Sequence, residues 1–235
     1  MKKLIVFPLL SVFLLLAACS AQPEAASVPG EADATFPAAV QAVPVVADVS
    51  ASVPQSGPEG LAYVREEEKL AHDVYLFLYE RWNLQVFQNI AASEQTHTDT
   101  IAALLLAYNL TDPAAGALPG EFADPNLQAL YDELTARGSL SLADALEVGA
   151  AVEEIDILDL QSRLQMTQPD DIRFAYENLL SGSYNHLGAF TSTLQRQTGE
   201  VYVPQYMAAE AYQDALSQAS AGGNGGGNGY RGGRP

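Results

Sequence analysis

The chain has 235 residues, 48% of them hydrophobic, and a formal net charge of −18 at pH 7. This excess of carboxylates argues against nucleic acid or an anionic membrane surface as a partner, because both would repel an acidic surface. The only cysteine excludes an internal disulfide and a site made of several thiolates. A folded domain therefore depends on its hydrophobic core or on a metal ion that other side chains hold.

The first 19 residues have the pattern of an export signal. Lys2 and Lys3 precede an apolar run that is too short for an ordinary spanning helix, and Cys19 follows two alanines. Small residues before a cysteine resemble the lipobox of bacterial lipoproteins, with a plain secretory signal as the alternative. The resemblance implies a lipid on Cys19 and a cell-envelope protein, anchored to the membrane on its periplasmic or extracytoplasmic face.

The regions on either side of the central domain differ from it in composition. Residues 20–57 are rich in alanine, proline, valine and serine and have no regular period, which predicts a flexible tether. Residues 217–235 are dominated by glycine and asparagine and are predicted to be a disordered tail. Residues 58–216 form one domain of ordinary size.

Helical periodicity dominates this domain and predicts an all-α fold. The third long helix is expected to begin at a Ser139 or Ser141 cap. Four long helices and one short helix are predicted over residues 58–81, 84–108, 126–136, 139–166 and 170–198, with a final packing segment over residues 201–216.

The lengths of the connections predict the topology. Two or three residues join the first two long helices, and a short turn joins the last two, so each pair forms an antiparallel hairpin. Roughly thirty residues separate the hairpins, more than neighbouring helices need. One long crossover between two hairpins, here with a short helix inside it, is similar to a ferritin-like four-helix bundle. A simple up-down-up-down bundle is the alternative.

Each long helix carries polar residues on its apolar stripe. On the first helix, Glu67 lies between Tyr63 and Leu70, while Glu66 and Glu68 flank that face. Buried carboxylates need a cation, a proton or a partner. The inward polar residues on the other helices are Glu94 and His97, Glu153 and Asp156, and Ser183 and His186.

These residues are predicted to lie at a common depth. Glu67 and His97 are each about fifteen residues from the first turn, and Glu153 and His186 are a similar distance from the second, roughly 22–26 Å along each helix. Since a long crossover places the two turns at opposite ends, the middles of all four helices meet. Each residue alone is more often an ordinary surface acid or core histidine, but together they indicate a metal site.

The ordered set of Glu67, the Glu94-x-x-His97 motif, a glutamate of the third helix and a histidine of the fourth resembles the ligands of ferritin-like di-iron proteins, including rubrerythrin. Residues 65–71, 148–156 and 176–187 also resemble an uncharacterised ferritin-like family of bacteria and archaea. This family resemblance covers residues 58–213.

One position departs from the di-iron pattern, which expects a second Glu-x-x-His motif on the fourth helix. Ser183 occupies the place of that glutamate. Asp156 is the expected replacement, with Glu154 or Glu177 as alternatives if the helical phase differs by one residue. The working hypothesis assigns Glu67, Glu94 and His97 to one ion and Glu153, Asp156 and His186 to the other.

Carboxylates with two imidazoles suit iron, or manganese, better than copper or structural zinc. The sequence thus favours a di-iron ferroxidase or peroxidase-like oxidoreductase that uses dioxygen or hydrogen peroxide and a separate electron donor. The alternatives are a non-catalytic metal-binding lipoprotein and a metal-free helical envelope adaptor. The sequence is compatible with an oligomer.

Overall fold

A computed structural model describes residues 57–222 except residue 167. These residues contain helices and no strand, which confirms the predicted all-α class. The predicted signal with Cys19, nearly all of the predicted tether and residues 223–235 of the predicted tail lie outside the described residues. After a 3-10 turn at Gly57–Gly60, the helices are α1 (Leu61–Trp82), α2 (Gln85–Ala107), α3 (Pro125–Gly138), α4 (Leu142–Leu164), α5 (Asp170–Thr198) and α6 (Ala209–Gly222).

The helix ends follow local chemistry. Asn83 closes α1 in the left-handed conformation, with φ of 49°. Asp124 caps α3 by accepting from the backbone N–H groups of its first turn, and Pro125 follows it. Ser141, rather than Ser139, caps α4. Helix α6 continues to Gly222 and so includes the first residues of the segment predicted as a tail.

The long helices form two hairpins, α1 with α2 and α4 with α5, which pack together through α2 with α5 and through α1 with α4. Helices α2 and α5 are antiparallel, since Ser93 contacts His186 while Tyr108 contacts Asp171. Helix α4 therefore runs in the same direction as α2, and the connection between them returns along the length of the hairpins. This order of directions differs from a simple up-down-up-down bundle.

Charged side chains of α1 hold the long connection in place. Helix α3, which lies in that connection, packs against α1 and α4. Buried Lys69 also forms an ion pair with Asp73 at 2.5 Å. The backbone contacts are Glu66 with the N–H groups of Ala123 and Asp124, Lys69 with the carbonyls of Leu118 and Glu121, and Asp73 with the N–H of Gly120.

Within the described part of the chain, every helix is too short or too polar to traverse a bilayer.

Candidate metal centre

Glu94 of α2 connects two groups of potential metal ligands. Its Oε2 lies 2.7 Å from Nδ1 of His97, and its Oε1 lies 2.6 Å from Nδ1 of His186. Glu68 Oε2 is 3.2 Å from the same atom of His97. Glu153 Oε2 is 3.6 Å from Nδ1 of His186. Within each group of three residues, the donor atoms lie within 4.8 Å of one another.

These five side chains come from α1, α2, α4 and α5 and lie in the interior. Glu68 is 1% exposed, and Glu94 and Glu153 are each 2% exposed. His97 and His186 retain 9% exposure each, so solvent reaches the group mainly at the imidazoles. Three carboxylates at this depth require compensating positive charge.

Glu94 and His186 form a close ion pair whose atoms are not aligned as a hydrogen bond. Glu94 Oε1 and His186 Nδ1 are 2.6 Å apart, yet neither atom has a hydrogen-bond partner among the described residues. Oε1 of Glu68 is likewise buried without a partner. Since nearly all buried polar atoms in folded proteins are paired, these carboxylate oxygens and imidazole nitrogens are candidate ligands for a cation that would replace the ring protons.

Neighbouring residues turn Nδ1 of both histidines toward the carboxylates. Nε2 of His186 lies 3.0 Å from the hydroxyl of Ser93. Nε2 of His97 lies against the backbone of α5 at Gly182, where a Cβ atom would be 2.7 Å from it. The two imidazole rings are 5.7 Å apart between centroids, so they face a common space.

The electrostatics of the site favour cations. Burial would lower the pKa of both histidines, but Glu68 and Glu94 raise that of His97 to about 11, and Glu153 and Glu94 raise that of His186 to about 10. Burial raises the pKa of Glu68 to about 7, although His97 opposes this. Burial also acts to raise the pKa of Glu94, but the two histidines outweigh it and bring that pKa to about 2. The imidazoles thus hold protons where a metal ion could replace them.

Tyr75 of α1 contacts the opposite side of Glu153. Its hydroxyl donates to Glu153 Oε1 at 2.5 Å and lies 3.3 Å from the carbonyl of Gly149. Burial and the charge of Glu153 raise the pKa of Tyr75 well above its usual value, so the phenol remains a hydrogen-bond donor.

Of the six ligands proposed from the sequence, the structure brings Glu94, His97, Glu153 and His186 together. Asp156 lies beside them but outside both groups, and it accepts a hydrogen bond from the hydroxyl of Ser183. Its other oxygen, Oδ1, has no partner among the described residues. Burial and the nearby charges of Glu68 and Glu153 raise the pKa of Asp156 well above its usual value.

Glu67 lies outside both groups, and Glu68 stands with His97 instead. The sequence pattern placed Glu68 at the side of the inward face, whereas α1 buries all residues from Glu66 to Leu70. The reason is that α2, α3 and α4 all pack on α1, which widens its buried arc beyond one stripe. Burial and the charges of Asp159 and Asp156 raise the pKa of Glu67 well above its usual value, and neither of its oxygens has a hydrogen-bond partner in the described structure.

The two alternative carboxylates lie away from the centre. Oε2 of Glu154 accepts from three successive backbone N–H groups, those of residues 205–207, and so binds the connection before α6. Glu177 is exposed. Sequence reasoning did not single out Tyr75, Ser93 or Gly182, although a glycine in the middle of a helix, which costs stability, was a usable signal of a close approach.

Comparison with known proteins shows the family of this chain. Residues 58–219 match the family described as an uncharacterized protein domain, DUF2202. The chain is 48% identical over 162 residues to the uncharacterized protein MJ0754 of Methanocaldococcus jannaschii, which covers 69% of this chain and 87% of that protein. The crystal structure of the hypothetical protein MJ0754 is similar to the present fold, with a TM-score of 0.66 over 68% of this chain and 91% of that chain. The chain therefore belongs to the DUF2202 family.

Proposed function

We propose that this domain is a ferritin-like four-helix protein that binds two metal ions, iron or manganese, and acts as a ferroxidase or peroxidase-like oxidoreductase. The observation that carries the proposal is the position of Glu94, whose two oxygens each face a different histidine at 2.6–2.7 Å. A carboxylate shared in this way is suited to bridge two ions. Glu68 and His97 would hold one ion, and Glu153 and His186 would hold the other.

The donor set fits these metals. Oxygen-rich sites with imidazoles suit iron and manganese, whereas sites rich in thiolates suit zinc and copper. Three carboxylates also offset most of the charge of two divalent cations, which lowers the cost of burying both. Asp156, whose Oδ1 is unpaired in the described structure, is a further carboxylate within reach of the same charges.

The topology supports the ferritin-like relationship. The two hairpins and the long return connection are the arrangement in which the four helix centres supply ligands to one site. The proposal departs from the sequence-based assignment on α1, where Glu68 rather than Glu67 lies beside His97 and would be the ligand.

Each of two ions bound there could give one electron, so the pair would supply the two electrons that reduce dioxygen to hydrogen peroxide or hydrogen peroxide to water. The protein would orient the ligands, exclude water and, through the partly exposed imidazoles, leave a route for electrons from a separate donor. The chain lacks the cysteines that a built-in iron–sulfur or rubredoxin-like donor would need.

Metal content is the decisive measurement. Protein purified without chelators and loaded with ferrous iron should hold about two ions per chain, and Glu94→Ala should lose both because it removes the shared ligand. Glu177→Ala, an exposed glutamate on α5, is the matched control and should keep both ions. Failure of the wild-type protein to retain any metal would leave only the metal-free helical adaptor.

Catalysis is tested separately by following dioxygen and hydrogen peroxide after ferrous iron is added. Consumption should exceed the protein-free rate, and Glu94→Ala should abolish the excess. A protein that binds two ions but consumes neither oxidant would be a non-catalytic metal-binding lipoprotein.

We further propose that a lipid on Cys19 anchors the protein in the cell envelope. The full-length chain should partition with membranes, and Cys19→Ser should move it to the soluble fraction. Equal partitioning of the two forms would rule out the lipid anchor.

A further inference from the structure

The two carboxylate oxygens of Glu153 have different partners because Tyr75 contacts one of them. Oε1 accepts the hydrogen bond of Tyr75 at 2.5 Å, while Oε2 faces His186 at 3.6 Å. Both side chains are buried, so water does not compete for either oxygen. Only one oxygen of Glu153 is therefore directed toward the metal centre.

The ring of Tyr75 is held firmly in this position. It packs on Phe190 with 4.9 Å between ring centroids, and Phe190 in turn packs on Phe87 at 5.6 Å. Phe190 fits only because residue 149 is glycine, where a Cβ atom would be 2.6 Å from the Phe190 ring. Since close-packed side chains cannot swing aside without opening a cavity, the hydroxyl stays on Glu153.

Glu68 has no comparable restraint. Its Oε2 lies 3.2 Å from Nδ1 of His97, and its Oε1 has no hydrogen-bond partner among the described residues. Both oxygens of Glu68 are thus available to one ion.

We propose that Tyr75 is a positioning residue that limits Glu153 to one metal-facing oxygen and so makes the two metal positions unequal. The proposal rests on the two-metal function above. The position of Glu68 and His97 offers one more protein donor than that of Glu153 and His186. The latter keeps more places for exogenous ligands, as catalytic metal sites do. The position beside His186 would therefore be the one that the protein leaves more open to an exogenous ligand.

Cobalt(II) tests this because its d–d absorption weakens as its coordination number rises. Titration of wild-type protein with Co²⁺ should give two ions with different spectra. Tyr75→Phe keeps the ring but releases Glu153 Oε1, so the ion at His186 should gain a donor and lose absorption.

Tyr176→Phe is the matched control, since Tyr176 is also fully buried and its hydroxyl has no hydrogen-bond partner in the described structure. It should leave both spectra unchanged. His97→Ala and His186→Ala should each remove one ion, and the spectrum that remains shows which absorption belongs to which metal position.

The outcomes separate this inference from the function it rests on. Wild-type protein that takes up no cobalt overturns both. Two bound ions with identical wild-type spectra overturn the inequality, and this result needs no variant to fold. Two distinct spectra that Tyr75→Phe leaves unchanged, in protein shown by circular dichroism to be folded, overturn the role of Tyr75.

Discussion

The imidazole of His97 lies directly against the backbone of Gly182, so close that a Cβ atom at residue 182 would be 2.6 Å from Cε1 of the ring. The absence of a side chain on α5 therefore sets how far His97 of α2 can reach into the centre. A larger residue would have to push the ring or separate the two helices.

Gly182→Ala should displace His97 and weaken the ion it holds by about 10–100-fold, while the ion at His186 is less affected. Metal titration with calorimetry measures the two affinities. Ser181→Ala, at the exposed neighbouring position, is the control and should bind as the wild type does. Equal affinities in Gly182→Ala and wild type would show that His97 is not a ligand.

Substitution of Glu67 or Glu68 tests which of these adjacent glutamates of α1 binds metal. Glu68→Gln should lose the ion at His97, because Glu68 lies beside that imidazole. Glu67→Gln should keep both ions and stabilise the metal-free protein, since it removes a buried carboxylate without a hydrogen-bond partner. Metal analysis and thermal unfolding distinguish the two variants. The reverse result would return the ligand role to Glu67.

Ser93 fixes the ring orientation of His186 through the 3.0 Å contact with Nε2. When Nδ1 binds a cation, Nε2 carries the ring proton and donates it to the hydroxyl. Ser93→Ala should therefore reduce metal affinity at His186 by about tenfold or more without unfolding the protein. Thr96→Ala, an exposed hydroxyl on the same helix, should have no such effect. A reduced affinity in both variants would indicate a general effect on α2.

Because Asp73 binds the long connection through the N–H of Gly120, we expect this part of the fold to lose stability in acid. Burial acts to raise its pKa, but His72, Lys69 and the N–H of Gly120 outweigh burial and lower that pKa below 3.8. A depressed pKa stabilises the fold above the unfolded value and loses this contribution as the pH falls through the folded value. The difference in unfolding free energy between wild type and Asp73→Asn should thus be largest above about pH 5 and shrink in acid.

Urea titrations between neutral and acidic pH measure this difference. Asp214→Asn, at an exposed site on α6, should change stability little at any pH. A difference for Asp73→Asn that is constant across the pH range would contradict the linkage.

The all-helical class could be predicted from the sequence, because it depends on periodicity, and the expectation that polar residues in the middle of several helices meet depends on the rise per residue. Glu94 and His97 share one face of α2, which packs mainly against α1 and α5, so the pattern of its buried face could be recognised in the sequence. Helix α1 was harder, since three helices pack on it and its buried arc includes both Glu67 and Glu68. Periodicity alone does not decide between adjacent residues that are both buried.

Contacts between residues of different helices that are far apart in the chain could not be predicted from the sequence. The hydroxyl of Tyr75 reaches Glu153 across 78 positions of the chain, and Ser93 reaches His186 across 93. No local pattern pairs these residues. Glu154, an alternative ligand by phase, serves instead to bind three amides of a connection whose path only the tertiary structure reveals.

One turn of α1 contacts both the long connection and the candidate metal centre. Glu66 and Lys69 form hydrogen bonds with the connection, and Glu68, which lies between them in sequence, contacts His97. Binding or release of an ion next to His97 should therefore change the protease susceptibility or the amide exchange of residues 118–124. The dynamics of the connection would then report the metal occupancy of the centre.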